Sequence, residues 1–270
     1  MTTSDHEIHA KKIDGETEMA QSKSWKARKK DKGPTGKKLL EDIAEKKLTA
    51  VWTEEGIWLP LDADAAKLVE RAGFGSRMGK GDAAKEHVKT LLSRNEKETY
   101  NWVASVLRIG AEEAFFLAHA LQCLVMRRNT MEGETMGTEE CWTKFVRQRK
   151  QYATSYVAYS HFRSKGWLPK SGIQYGSDLV LYRNHPSVAH SEYAVIVLPM
   201  SEELVTPAGS NAFTTWNDLQ TLSRLSVQVK KGLLVLYVHL EKGTDCSTPS
   251  CLEKFSVQEL QVSRWSSEKE

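Results

Sequence analysis

Residues 164–198 read SKGWLPKSGIQYGSDLVLYRNHPSVAHSEYAVIVL. Two runs inside this stretch, Asp178–Arg183 and Glu192–Leu198, are rich in Val, Leu, Ile and Tyr and are flanked by Gly, Asn, Pro and Ser. Such runs favour strands, because β-branched and aromatic side chains fit a pleated, half-buried surface. Further β-type runs follow at Ser226–Lys230, Leu233–Leu240 and Lys254–Val262. A helix at Trp216–Leu225, capped by Thr214 or Thr215, interrupts them. Strands joined through a crossover helix predict a mixed α/β sheet.

Upstream, the texture changes. Glu139–Ser164 predicts one long helix, with Tyr152, Tyr156, Tyr159 and Phe162 at steps of three and four as packing residues. The first half predicts a short helix at 39–46, two strands over Leu48–Leu61 around Glu54–Gly56, and a helix capped by Asp62 or Asp64 and stopped by Gly73. A helix is expected over Ala83–Lys97, and a buried one over Ala111–Met126 with His119 as a core residue. GFGSRMGKGD (73–82) is read as a loop, because Phe74 and Met78 break the phosphate-loop and dinucleotide spacings. Periodicity fades over 129–138, which marks the expected domain boundary.

The chain has 270 residues, 40% hydrophobic and 27% charged, enough for a sizeable core. No apolar run approaches the roughly 18 residues of a membrane span, and MTTSDHEIHAKK lacks the apolar centre of a secretory signal. Cys123, Cys141, Cys246 and Cys251 form no C-x-x-C pair, so reduced thiols are expected and zinc is not. The net charge of +3 conceals an uneven distribution: eight Lys/Arg and one acid, Asp31, fall between Lys23 and Lys38. Residues 1–38 are therefore expected to be disordered. A nucleic-acid arm, a nuclear import signal and a plain solvated tail all fit.

Tyr182, His190 and Lys231 supply a phenol, an imidazole and an ammonium. Such a set can cleave RNA without a metal. The phenol accepts the ribose 2′-OH proton, the imidazolium protonates the leaving 5′ oxygen, and the ammonium holds the charge that builds on the phosphorane. A phenol, with an ordinary pKa near 10, is a weak base at neutral pH, so Lys231 or Arg183 is expected to assist it.

The local wording is more specific than the residue types. Gly166-Trp167-x-x-Lys170-x-Gly172 is followed by Tyr175-Gly176-x-Asp178-x-x-x-Tyr182, then His190, then Arg224-x-Ser226-Val227-x-Val229-x-Lys231. In order, over residues 140–265, these pieces resemble the catalytic domain of the tRNA-splicing endonucleases. The closest wording is that of the eukaryotic subunit assigned to the 5′ splice site, in a plant-like form. The resemblance implies a small α/β domain at 39–128, a linker at 129–138 and a restriction-endonuclease-like mixed-sheet nuclease domain at 139–270. It implies Tyr182 rather than Tyr175, His190 rather than His185 and Lys231 rather than Lys230 as the catalytic triad, with Tyr175 and Asp178 structural. Arg224 and Trp265 match the family's RNA-binding cation–π sandwich around a bulged base.

Also implied are products with 2′,3′-cyclic phosphate and 5′-OH ends, no metal or cofactor, and no membrane. Expected partners are precursor tRNA, a second catalytic subunit and two structural subunits, in the nucleus. The loop EKGTDCSTPSCLE (241–253) is not strongly acidic, which suits a receiver of a partner's acidic loop. The strand Val257–Val262 is the expected pairing edge for a sister subunit. Two other functions fit the same sequence: the sister subunit that cuts the 3′ site, and a non-catalytic RNA-binding subunit.

Overall fold

The structure is a computed structural model in which residues 8–13, 36–77, 103–200 and 216–264 are described. The helix expected at Ala83–Lys97, the basic segment Lys23–Lys32 and Trp265 lie outside the described residues. Contacts divide the chain into two compact units. One spans Thr35–Gly166 with Asp245–Ser250; the other spans Trp167–Thr244 with Cys251–Glu270 and Met1–Pro34. β1 (Ile8–Ile13) belongs to the second unit and falls within the arm expected to be disordered.

The first unit contains α1 (Gly36–Ala44), β2 (Leu48–Thr53), β3 (Gly56–Leu61), α2 (Ala63–Arg71), β4 (Ser76–Arg77) and β5 (Ser105–Ile109). α3 (Ala111–Phe115), β6 (Leu124–Arg128), β7 (Thr135–Met136), α4 (Thr138–Gln148) and α5 (Tyr152–Ser164) follow. Its sheet runs β4-β5-β3-β2-β6-β7. The expected hairpin forms, with Thr53 opposite Gly56, and Asp62 caps α2 by accepting from the amides of Asp64 and Ala65. The helix expected over Ala111–Met126 is not continuous. α3 widens into a π-helical turn at Phe116–Ala120, Gln122 takes a left-handed φ of 52°, and β6 begins. Leu124 and Met126 are buried while Val125 between them is exposed, the alternation of a half-buried strand. β6 pairs in parallel with β2. His119 is exposed rather than part of the core, and its ring stacks on Phe115.

The single helix expected over Glu139–Ser164 is broken, with Arg149 in an extended conformation. The boundary between units follows Gly166 rather than residues 129–138, for a packing reason. Phe115 sits 5.0 Å from Trp142 and 4.9 Å from Tyr156, so α4 and α5 close the core of the first unit. Arg163 is fully buried there. It donates to the carbonyls of Ala72 and Gly73 at 2.6 and 3.2 Å and to the Tyr159 hydroxyl at 2.8 Å, and it lies 3.9 Å over the Phe74 ring. Burial pushes the Tyr159 phenol well above its ordinary range.

The second unit contains β8 (Leu168–Ser171), β9 (Leu179–Tyr182), β10 (Tyr193–Met200), α6 (Trp216–Gln228), β11 (Gly232–Leu240) and β12 (Phe255–Arg264). Its sheet runs β1-β12-β11-β10-β9-β8. β10 and β11 are parallel, joined through α6, and the other pairings are antiparallel. This is the expected mixed α/β sheet. Leu222 of α6 packs into a core with Ala194, Ile196, Leu233, Val235 and Val262.

Two expectations change here. Ser226–Lys230 is not a strand: α6 runs through Gln228, because Leu222, Ser223 and Ser226 bury one side of a helix despite the local Val content. β12 is not an edge, because β1 covers it across Ile8↔Arg264 to Ile13↔Glu259. All four cysteines are free thiols, and burial pushes the Cys123 and Cys141 thiols up to about 11 and about 12. No described helix is long and apolar enough to cross a membrane.

Candidate active site

Three strands end in register at one end of the second sheet. Tyr193 of β10 pairs with Leu181 of β9 on one side and Gly232 of β11 on the other. One residue further toward that end, on each strand, lie Tyr182, Glu192 and Lys231. With neighbouring strands about 4.8 Å apart, the Tyr182 and Lys231 backbones are separated by roughly 10 Å, room for a phosphodiester between their side chains. His190 lies two residues before Glu192 on the exposed loop that joins β9 to β10. The structure thus gathers Tyr182, His190 and Lys231 around one strand end.

The backbone explains why Lys231 and Lys230 differ. Lys230 takes a left-handed φ of 55° just past α6. Its N–H donates to Val227 O at 3.0 Å, and the Lys231 N–H donates to Ser226 O at 2.8 Å. These two bonds form a Schellman C-cap, with Lys230 as the left-handed residue and Lys231 as the next. Lys230 is exposed, whereas Lys231 is half-buried and enters β11 with its Nζ donating to Ser191 O at 3.3 Å. The Nζ also lies 4.7 Å from the centroid of the Tyr175 ring. Burial lowers the pKa of this ammonium. Gly232 permits the close approach of the neighbouring strand: a Cβ there would lie 2.7 Å from the Tyr193 ring.

Arg183, the residue next to Tyr182, is engaged by an acid. Its guanidinium forms a fork with Glu192, Nε to Oε1 at 2.8 Å and Nη2 to Oε2 at 2.9 Å, and stacks 5.5 Å from the Trp167 ring. Glu192 is thereby a site residue the sequence reading missed. Its amide donates to Leu181 O and its carbonyl accepts from Gly232, so it pins the three strand ends together. An acid two residues after His190 and an arginine just after Tyr182 were the available signal.

His185 is occupied within its own loop. Its Nδ1 lies 2.7 Å from Ser187 Oγ and accepts from the Ser187 amide, while its carbonyl accepts from Val188 and Ala189. Asp178 holds the turn, its Oδ2 accepting from the Val197 amide at 2.8 Å, and burial raises its pKa despite that bond. The Ser191 hydroxyl is buried with no partner among the described residues. Arg224 lies on the exposed side of α6, whereas Trp265 lies outside the described residues.

The chain matches the family model for the tRNA intron endonuclease catalytic C-terminal domain over residues 152–246. It is 35% identical over 214 residues to tRNA-splicing endonuclease subunit Sen2-1 of Arabidopsis thaliana, covering 78% of each protein. It is 32% identical over 253 residues to subunit Sen2-2 of the same plant, covering 90% of this chain and 89% of that one. The mouse Sen2 subunit is 36% identical over 186 residues, covering 67% of this chain and 38% of that longer protein. The strand-end site lies wholly inside the matched region, and the chain belongs to the tRNA intron endonuclease family, with the Sen2 subunits of tRNA-splicing endonucleases.

Proposed function

We propose that this chain is an endoribonuclease subunit that excises introns from precursor tRNA by cutting the 5′ splice site. The observation that supports the chemistry best is the shared strand-end row, which sets a phenol and an ammonium on either side of Glu192 beside the His190 loop. Tyr182, reacting in its deprotonated form, takes the 2′-OH proton as the 2′ oxygen attacks the adjacent phosphorus. The bond from phosphorus to the 5′ oxygen breaks, and His190 delivers a proton to that oxygen. Lys231 stabilises the charge on the non-bridging oxygens in between. The electrons stay within the phosphodiester, so the products are a 2′,3′-cyclic phosphate and a 5′-OH. No step calls on a metal.

Arg224 and Trp265 are proposed to cover the two faces of a flipped RNA base. Precursor tRNA, a sister catalytic subunit and two structural subunits are the proposed partners, and the nucleus the proposed compartment. The 5′ assignment rests on the wording YGSDLVLYR at residues 175–183. The test is cleavage of precursor tRNA by the reconstituted complex in EDTA, with end analysis of the released fragments. Cyclic phosphate and 5′-OH ends at an undiminished rate are expected. A 5′-phosphate end, or activity abolished by EDTA and restored by a divalent ion, would overturn the mechanism.

A further inference from the structure

The resemblance implies a structural role for Tyr175, yet its turn is held without the ring. Gly176 takes the left-handed φ of 67° that closes the Ile173–Tyr175 turn. The Tyr175 amide donates to Gly172 O at 2.8 Å, Ser177 Oγ lies 3.3 Å from the same carbonyl, and Asp178 binds the Val197 amide. All of these contacts are made by backbone or by other side chains. The ring is half-buried and, among the described residues, its ring contact is the Lys231 ammonium. A separation of 4.7 Å is within the range of a cation–π interaction.

Lys231 needs such a contact. A lysine stem has four rotatable carbons and three equivalent donors, so on its own it fixes no direction. Its backbone is set by the helix cap, and one N–H is taken by Ser191 O at 3.3 Å. A single carbonyl leaves the ammonium free to swing about that bond. A ring face on another side removes that freedom and still leaves a donor for a phosphate oxygen.

We propose that Tyr175 is a positioning residue for Lys231: its ring face and the Ser191 carbonyl together fix where the ammonium points. The proposal rests on the nuclease role given to Lys231, but its geometric part can be tested apart from cleavage. Tyr175→Phe keeps the ring, and Tyr175→Leu removes it at similar volume. In protein labelled with ¹³C-lysine, the Lys231 CH₂ protons next to Nζ, assigned with Lys231→Met, should be shifted upfield by the ring current. The shift should persist in Tyr175→Phe and vanish in Tyr175→Leu. An unshifted Lys231 resonance in the unsubstituted protein would overturn the proposal.

Cleavage supplies the second readout. In the reconstituted complex, Tyr175→Phe should stay within about threefold of the unsubstituted kcat, while Tyr175→Leu should lose about ten- to thirtyfold with KM nearly unchanged, because a misdirected ammonium fails the transition state rather than substrate binding. The ring face stabilises the charged ammonium, and leucine keeps the site apolar without that face, so the alkaline limb of kcat should move to lower pH in Tyr175→Leu. Equal loss in Tyr175→Phe and Tyr175→Leu, or loss confined to KM, would assign the residue to RNA contact instead. A ring-current shift present in a complex that cleaves nothing would leave the positioning intact and overturn the nuclease role of Lys231.

Discussion

The two units each hold an inward-facing cation, and the two are treated very differently. Arg163 in the first unit is fully buried and has two backbone carbonyls, a phenol and an aromatic face around it. Lys231 in the second is half-buried, with one carbonyl and one ring. A guanidinium surrounded by acceptors ties α5 to the end of α2 and, fully buried, is closed to a ligand. An ammonium with donors to spare has its burial cost offset only in part by one carbonyl and one ring, and an incoming anion would offset the rest. The difference separates a cation that builds a core from one with donors left for a ligand.

Substitution of the two cations should therefore give opposite results. Arg163→Met should destabilise the protein by about 3 kcal/mol or more, since it strands the Ala72 and Gly73 carbonyls in the core. Denaturant unfolding measures this, and a loss below about 1 kcal/mol would erase the contrast. Lys231→Met should lower cleavage on the order of 10²–10³-fold while stability changes by less than about 1 kcal/mol. Full cleavage by Lys231→Met in the assembled complex would remove the chemical half of the comparison.

A titration sharpens it further. Burial raises the Asp178 pKa in the folded state, so folding disfavours its charged form. The stability this group allows is complete below the ordinary aspartate value near 3.9 and is lost as pH rises through the higher folded value. Asp178→Asn can still accept from the Val197 amide through its side-chain oxygen and does not ionise. The stability difference between Asp178→Asn and the unsubstituted protein should grow in favour of Asn as pH rises from the acid range. A difference independent of pH would contradict the burial argument.

The smallest expected effect concerns the neighbouring lysine. Lys230 bears a Cβ at a left-handed position that glycine occupies without cost. Lys230→Gly should raise stability by about 0.5–1 kcal/mol and leave cleavage unchanged, so adjacent lysines would separate cleanly into a cap and a catalytic group.

Features fixed by local chemistry could be read from the sequence. The hairpin over Leu48–Leu61 and the Asp62 cap depend on residues two to seven apart. The strand runs around Tyr182 and Tyr193 carry their own propensity. What escaped depends on partners far along the chain. Ser226–Lys230 has strand-like side chains, but Leu222, Ser223 and Ser226 make it the buried side of a helix end. Ala111–Met126 is mostly apolar, which fits a helix, a π turn or a strand, and only the pairing of Leu48 with Leu124 decides. Glu192 looked like an ordinary strand-end acid until β9 brought Arg183 beside it. Tyr175 and Lys231 are 56 positions apart, and nothing in either neighbourhood reveals the ring under the ammonium.

The central claim is that the strand-end row of the second unit cuts one particular splice site. Its most direct test is cleavage of precursor tRNA by the reconstituted complex carrying His190→Ala in this chain. The 5′ cut should fall on the order of 10²-fold or more while the 3′ cut proceeds at its normal rate, leaving an unspliced 5′ exon–intron fragment. A normal 5′ cut with the 3′ cut lost would assign this chain to the other splice site, and two normal cuts would contradict the account altogether.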